Sequence, residues 1–176
     1  MNNYDIVIIG GGPAGLTAAI YGARARLRTL VINKGAIGGL AETTREIVNY
    51  PGYGQTTGPK LMNDFKKHAE DFGAEFLKDE VMEVDFLQDE KLIKTKKGKE
   101  FTAKAVILAC GCKPRLLNIP GETKLRGSGV AYCATCDAEF FEDEDVVVIG
   151  SGDQAIEEGI YITKFVTTHH PRRAKF

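Results

Sequence analysis

Tyr4–Ile9 (Tyr-Asp-Ile-Val-Ile-Ile) runs directly into Gly10-Gly11-Gly12-Pro13-Ala14-Gly15, and Leu16–Ala25 follows as a helical segment. A short, near-continuous apolar run is the mark of a strand buried on both faces. Gly10 permits a tight turn, Gly12 lets a pyrophosphate approach the backbone, and Gly15 lets helix and strand pack closely. The helix start adds unpaired N–H groups and the positive end of a dipole. A second strand at Arg28–Asn33 completes a βαβ unit of roughly thirty residues. In that setting, directly after a strand and directly opening a helix, G-x-G-x-x-G reads as a dinucleotide-binding turn. The pattern expects an acid at the end of the second strand to hold a ribose hydroxyl. Asn33 stands there, followed by Lys34, and Asn can still hydrogen-bond a ribose.

The chain has 176 residues, enough for one full domain or parts of two. A protein of this length folds without metal or disulfide staples. Lys plus Arg number 23 and Asp plus Glu 24, for a net charge of -1. That balance gives no support for nucleic acid or an anionic membrane as the main partner. Ile6–Ala23 carries no charge and reaches the lower limit for a membrane span. Its Gly-Gly-Gly-Pro break makes a continuous helix poor, and a signal peptide would want a basic start where only Asp5 appears. A cytoplasmic protein is expected, and in that compartment Cys pairs are more often redox or metal sites than staples.

Further along, Gly35–Gly39 is a glycine-rich loop, and an irregular stretch runs through Asn49-Tyr50-Pro51-Gly52. Lys60–Phe72 is an amphipathic helix with Leu61, Phe65, Ala69 and Phe72 on one side. Phe76–Thr102 alternates apolar and polar residues with charged turns, as a small antiparallel meander would. Ala105–Cys110 reads as a buried strand ended by Gly111, and Lys113–Glu122 as a linker. Val146–Ile149 reads as another buried strand, leading into Gly150-Ser151-Gly152-Asp153-Gln154-Ala155 and a helix to about Phe165. The strand–turn–helix device thus occurs twice, with Ala155 at the third glycine position, which the pattern tolerates. Two such turns imply two nucleotide-bearing cofactors, which suggests a flavin and a nicotinamide.

Cys133-Ala134-Thr135-Cys136-Asp137 is a C-x-x-C with an acid attached. Two thiols at this spacing can close and reopen a small disulfide ring, and the neighbouring carboxylate can supply or take a proton. The rival reading is zinc, because Cys110 and Cys112 lie upstream as C-x-C. That pair has one intervening residue where zinc knuckles usually have two or more. Cys110 and Cys112 then read as a buried thiol and a bystander. His68 and the charge runs Glu142–Asp145 and Lys94–Lys99 read as surface. Tyr50 and Tyr53 could pack on a flavin or pin a loop. His169-His170-Pro171-Arg172-Arg173 could bind a phosphate or be a fraying end.

These motifs resemble those of the low-molecular-weight thioredoxin reductases, FAD-dependent pyridine nucleotide-disulfide oxidoreductases, through nearly the whole sequence to about Val166. Gly10–Gly15 with Thr17–Tyr21 looks like their FAD-pyrophosphate segment, Asn49–Gly52 like their flavin loop, and Ala109-Cys110-Gly111 stands where they carry Ala-Thr-Gly. Cys133–Asp137 is similar to their redox centre, and Gly150–Glu158 to their NADPH turn. The resemblance implies an α/β fold of two Rossmann-like, doubly wound nucleotide-binding units with a small antiparallel meander. Residues 1–113 would be the FAD-binding part, and residues 114–176 the start of an NADPH-binding domain that is incomplete, truncated at its C-terminal side. It also implies that electrons pass from NADPH through FAD to a Cys133–Cys136 disulfide and on to thioredoxin or a similar small protein, within a homodimer. Cys136 would face the flavin, Cys133 attack the substrate, and Asp137 donate the proton.

On the same basis the FAD contacts are Gly10, Gly11, Gly12, Pro13, Ala14, Gly15, Asn33, Lys34, Gly38, Gly39, Leu40, Asn49, Val81, Ala109 and Gly111. Those to NADPH are Gly150, Gly152, Asp153, Gln154, Ala155, Arg172 and Arg173. Relatives have Gln where Leu40 stands, and their phosphate-binding His-Arg-Arg is interrupted here by Pro171. Two alternatives stay open: a same-fold reductase fed by another donor such as ferredoxin, and an inactive nucleotide-binding remnant.

Overall fold

In the computed structural model, which describes residues 2–166, the N-terminal apolar run forms β1 (Asn2–Ile9) and α1 (Pro13–Arg24) leaves through the glycine turn. Pro13 sits in the first helical turn, where its fixed φ suits the helix and its missing N–H is not needed. Next come β2 (Thr29–Asn33) and α2 (Gly58–Asp71). The Thr57 side chain accepts the Lys60 N–H and caps α2. The remaining strands of this unit are β3 (Glu75–Lys78), β4 (Val81–Asp85), β5 (Lys91–Thr95) and β6 (Glu100–Leu108). One sheet contains all of them in the order β3-β2-β1-β6-β5-β4. It is parallel from β3 through β6 and antiparallel across β6, β5 and β4. The α/β, Rossmann-like expectation holds.

Two readings of the strands need correction. Phe76 belongs to β3, which pairs in parallel with β2 and is not part of the meander. Thr102 and Ala105 lie on one continuous strand, β6, whose first half pairs with β5 and which pairs with β1 from Phe101 to Leu108. Past Ala103 its outer edge has no partner in this sheet, and Leu108 is 62% exposed. The expected buried strand Ala105–Cys110 is therefore not buried.

Alternating side chains of β2 supply both faces of the core. Leu30 and Ile32 pack with Tyr4, Val7, Ile93, Phe101 and Ala103. Val31 packs with Ile8 and with Ala19, Ala23 and Ala69 of the two helices. Each fully buried aliphatic side chain here contributes about 1.5–3 kcal/mol. That core fixes the C-terminal ends of β1 and β2, from which the first glycine turn departs.

The protein divides into two compact units, Met1–Lys113 and a second that begins at Pro114. The second holds a short α3 (Ala134–Asp137), a 3-10 turn (Ala138–Phe141) and α4 (Asp153–Ile162). Val146–Ile149 forms no strand, and Val147 is 73% exposed. A strand buried on both faces needs sheet neighbours, and none of the six strands lies in this unit. No helix among the described residues is long and apolar enough to cross a membrane.

Candidate active site

β2 and β3 lie to one side of β1 and β6 to the other, so the strand order reverses between β1 and β6. Parallel sheets bind ligands in the crevice at that point, outside the carboxyl ends of the strands. Gly10 leaves β1 there with φ +113°, and a Cβ on it would fall 2.2 Å from the Ala109 carbonyl oxygen at the end of β6. A Cβ on Gly15 would fall 1.9 Å from the Gly10 oxygen. Both positions demand glycine because backbone occupies the space. Gly12 is the N-cap of α1, and the helix start is left uncapped by any side group. The Gly38 N–H donates to the Gly11 carbonyl at 2.7 Å, which brings the Gly38-Gly39 loop beside Gly12. The result is a cradle of bare backbone at a helix N-terminus, open to a phosphate-bearing ligand.

Asn33 clasps this cradle. Its Oδ1 accepts the Gly11 N–H at 3.0 Å, while its Nδ2 donates to the Gly35 and Ala36 carbonyls at 3.2 and 2.8 Å. An acid could not make the two donations, a physical reason for Asn at this position. Lys34 pairs with Glu80 at 3.1 Å, and the ammonium groups of Lys34 and then Lys96 hold the Glu80 carboxyl below the usual range. A cleft of about 370 Å³, lined by Asn33, Gly35, Ile37, Lys66, Phe76 and Lys78, opens beside these residues.

The structure thus groups Gly10–Gly15, Asn33, Gly38, Gly39 and Ala109. Leu40 precedes a 3-10 turn and is half-exposed, Asn49 lies in an exposed loop, and Gly111 follows β6 at φ +66°. Val81 opens β4 and packs against the sheet core. Tyr50 meets Tyr53 and Phe65 edge-on, and Tyr53 donates to Asp64 at 3.0 Å. Both tyrosines therefore pin their loop to α2.

In the second unit, a disulfide joins Cys133 and Cys136. Cys133 is the N-cap of α3, and its carbonyl accepts the Cys136 and Asp137 N–H groups at 3.2 and 3.1 Å. Asp137 is half-buried, and its carboxyl is pushed above the usual range, first by burial and then by the negative charge of Glu158. The second glycine turn opens α4 with Gly152 as N-cap, and this helix start too is uncapped by any side group. A Cβ on Gly150 would lie 2.6 Å from the Ala155 methyl, so Gly150 leaves the room that Ala155 needs. Asp153 and Gln154 form the first turn of α4. Arg172 and Arg173 lie outside the described residues.

Two residues important to this geometry escape a reading of the sequence. Glu122, at the end of the expected linker, is buried and accepts the Leu117 N–H at 3.0 Å, the Asn118 N–H at 2.7 Å and the Tyr132 hydroxyl at 2.8 Å. It anchors the residue directly before Cys133. The Leu117 N–H above all, against the opposing effect of burial, keeps its carboxyl below the ordinary value of 4.5. A carboxyl with a lowered folded-state value stabilises the fold at neutral pH, and that stabilisation fades as pH falls from 4.5 through the lowered value. Amide-exchange protection at Leu117 and Asn118 is expected to fall over that acid range and to be pH-independent in Glu122→Gln. Equal acid loss in both proteins would exclude this role. The other residue is Glu158, on α4. Glu122 shows no sequence signal, because its partners are backbone groups or distant in sequence, and Glu158, within Gly150–Glu158, shows no sign of its reach to Ala134.

Cys110 and Cys112 are free and exposed, so the buried-thiol reading of Cys110 is corrected. Its Sγ lies 3.6 Å from the Ile9 carbonyl, just past the end of β6 at Leu108. Among the described residues, no three His, Cys, Asp or Glu side chains form a group that could hold a metal ion.

A family model described as pyridine nucleotide-disulphide oxidoreductase matches residues 4–171. The protein belongs to that family. Thioredoxin reductase of Peptoclostridium litorale is 51% identical over 175 residues, 97% of this chain and 55% of that protein. The bifunctional thioredoxin reductase/thioredoxin of Mycobacterium leprae is 46% identical over 173 residues, 96% of this chain and 38% of that protein. The crystal structure of thioredoxin reductase from Streptococcus pyogenes superposes with a TM-score of 0.87 at 44% identity, covering 93% of this chain and 53% of that one. The chain spans about half the length of the thioredoxin reductase from Peptoclostridium litorale.

Proposed function

We propose that this protein holds the flavin cradle and the redox turn of a disulfide reductase. It passes electrons from NADPH through FAD and the Cys133–Cys136 couple to thioredoxin or a similar small protein disulfide. The observation that carries this reading is the closed Cys133–Cys136 disulfide with the half-buried Asp137 beside it. The bare backbone at Gly10–Gly15 and Gly38-Gly39 fits the pyrophosphate of FAD, and the uncapped Gly152 turn fits that of NADPH. FAD, when bound, supplies the two-electron step between the nicotinamide and the disulfide. The M. leprae relative, whose name joins a thioredoxin to the reductase, supports thioredoxin as the partner. Free, exposed Cys110 and Cys112 agree with a cytoplasmic setting, where thiols stay reduced.

In the reduced couple, the Cys133 thiolate attacks one sulfur of the target disulfide and releases the other as a thiolate. Cys136 then attacks the Cys133 sulfur, closing the ring and freeing the second target thiol. Asp137 delivers a proton to a departing thiolate, and its raised range keeps that proton available at higher pH than for a solvated aspartate. The protonated acid is the active form, so the rate falls as pH rises through the raised value. Asp137→Asn is expected to slow exchange between the reduced couple and oxidised thioredoxin by about a hundredfold and to erase that falling limb. Stopped-flow measurement across pH checks this, and an unchanged rate and profile would remove Asp137 from the mechanism.

A further inference from the structure

Glu158 lies on α4, at the end of the segment that resembles the NADPH turn, yet its carboxylate reaches the redox motif. Oε2 accepts the N–H of Ala134, the residue after Cys133, at 2.8 Å. Oε1 accepts the Gln154 side-chain amide at 3.0 Å, which fixes the carboxylate from its own helix. Ala134 is buried, so its N–H has little access to water and depends on this acceptor. We infer that Glu158 is a positioning residue of the Cys133–Cys136 couple: it holds the backbone between the two cysteines in the disulfide form and ties it to the helix that opens at the second glycine turn. The inference rests on the reading of Cys133–Cys136 as a redox couple.

A charge-assisted bond to a buried N–H is stronger than a neutral one, and it is made here with the ring closed. Opening the disulfide removes the covalent restraint on the turn, and on this proposal the bond loosens with it and so favours the oxidised form. Among the described residues, the 3-10 turn and α4 pack most closely against α3. The 3-10 turn carries Glu139, and α4 carries Asp153, Glu157 and Glu158. Of these charges, the one acting on Asp137 is that of Glu158. Glu158 therefore has two separable roles: its oxygen holds Ala134, and its charge adds to burial in raising the Asp137 carboxyl.

Two substitutions separate them. Glu158→Ala removes both oxygen and charge, whereas Glu158→Gln keeps an acceptor oxygen and removes only the charge. The purified protein is equilibrated anaerobically with glutathione buffers, and the oxidised fraction of Cys133–Cys136 is read by thiol alkylation and mass spectrometry. The Asp137 carboxyl is titrated by carbon NMR. Glu158→Ala is expected to shift the couple toward the dithiol by about tenfold. Glu158→Gln is expected to leave the couple within about threefold of the parent and to lower the Asp137 midpoint toward the ordinary aspartate value. A Glu158→Ala couple indistinguishable from the parent overturns the proposal. If that variant does not fold, an Ala134 amide that exchanges in the parent as fast as an exposed backbone N–H overturns it instead. A parent disulfide that stays closed in every glutathione buffer overturns the redox reading and this inference with it, which marks that failure off from the other two.

Discussion

Gly15→Ala is expected to destabilise the first unit by about 3 kcal/mol or more, lowering its melting midpoint by about 10–20 °C. The added methyl would sit 1.9 Å from the Gly10 carbonyl oxygen and 3.4 Å from the Ala109 Cβ. No rotamer relieves a clash between Cβ and backbone, so α1 must move away from β1. That movement opens the seam holding Ile8, Ala19 and Val31 and displaces the cradle at Gly12. Flavin affinity is expected to fall with it. Gly35→Ala is the control, because a Cβ there meets nothing within 4 Å and the residue has no positive φ. It is expected to change stability by no more than about 0.5 kcal/mol. Urea unfolding of both variants, with FAD titration by fluorescence, reads the difference. A Gly15→Ala protein as stable as Gly35→Ala would mean that helix and strand do not pack as described.

Cys136→Ser is expected to stop disulfide turnover, with a loss of about three orders of magnitude or more, and to convert Cys133 into a trap. Without the second thiol, the mixed disulfide formed when Cys133 attacks oxidised thioredoxin cannot resolve. Intact mass spectrometry is then expected to show the sum of the two proteins. Cys133→Ser is expected to give no such adduct, and Cys112→Ser to behave as the parent. The free Cys110 and Cys112 are both exposed, so an adduct formed through either of them in Cys133→Ser would show that the assignment of the attacking thiol is wrong.

The sequence carries the first glycine turn almost completely, because glycine leaves a direct mark wherever backbone meets backbone. Gly10 and Gly15 are such places. It also carries the redox turn, since C-x-x-C spacing alone allows ring closure. What it conceals depends on neighbours. Lys104 looks like a boundary between a meander and a buried strand, yet it pairs with Asp5 at 2.8 Å and β6 runs through it unbroken. The alternating pattern that begins at Phe76 announces a strand but not that the neighbour of Phe76 and Leu77 is β2. Val146–Ile149 has the composition of a buried strand, and composition cannot supply the sheet that would bury it. Glu122 and Glu158 are invisible for the same reason, since each is defined by the backbone N–H it satisfies across a turn or a helix pair.

The proposed function requires the cradle at Gly10–Gly15 to bind a flavin able to take electrons from NADPH. The visible absorption spectrum of the purified protein, equilibrated with FAD and desalted, tests it most directly when recorded before and after anaerobic NADPH. A protein-bound flavin band that bleaches when NADPH is added is expected. A colourless protein, or a bound flavin whose band NADPH leaves untouched, would contradict it.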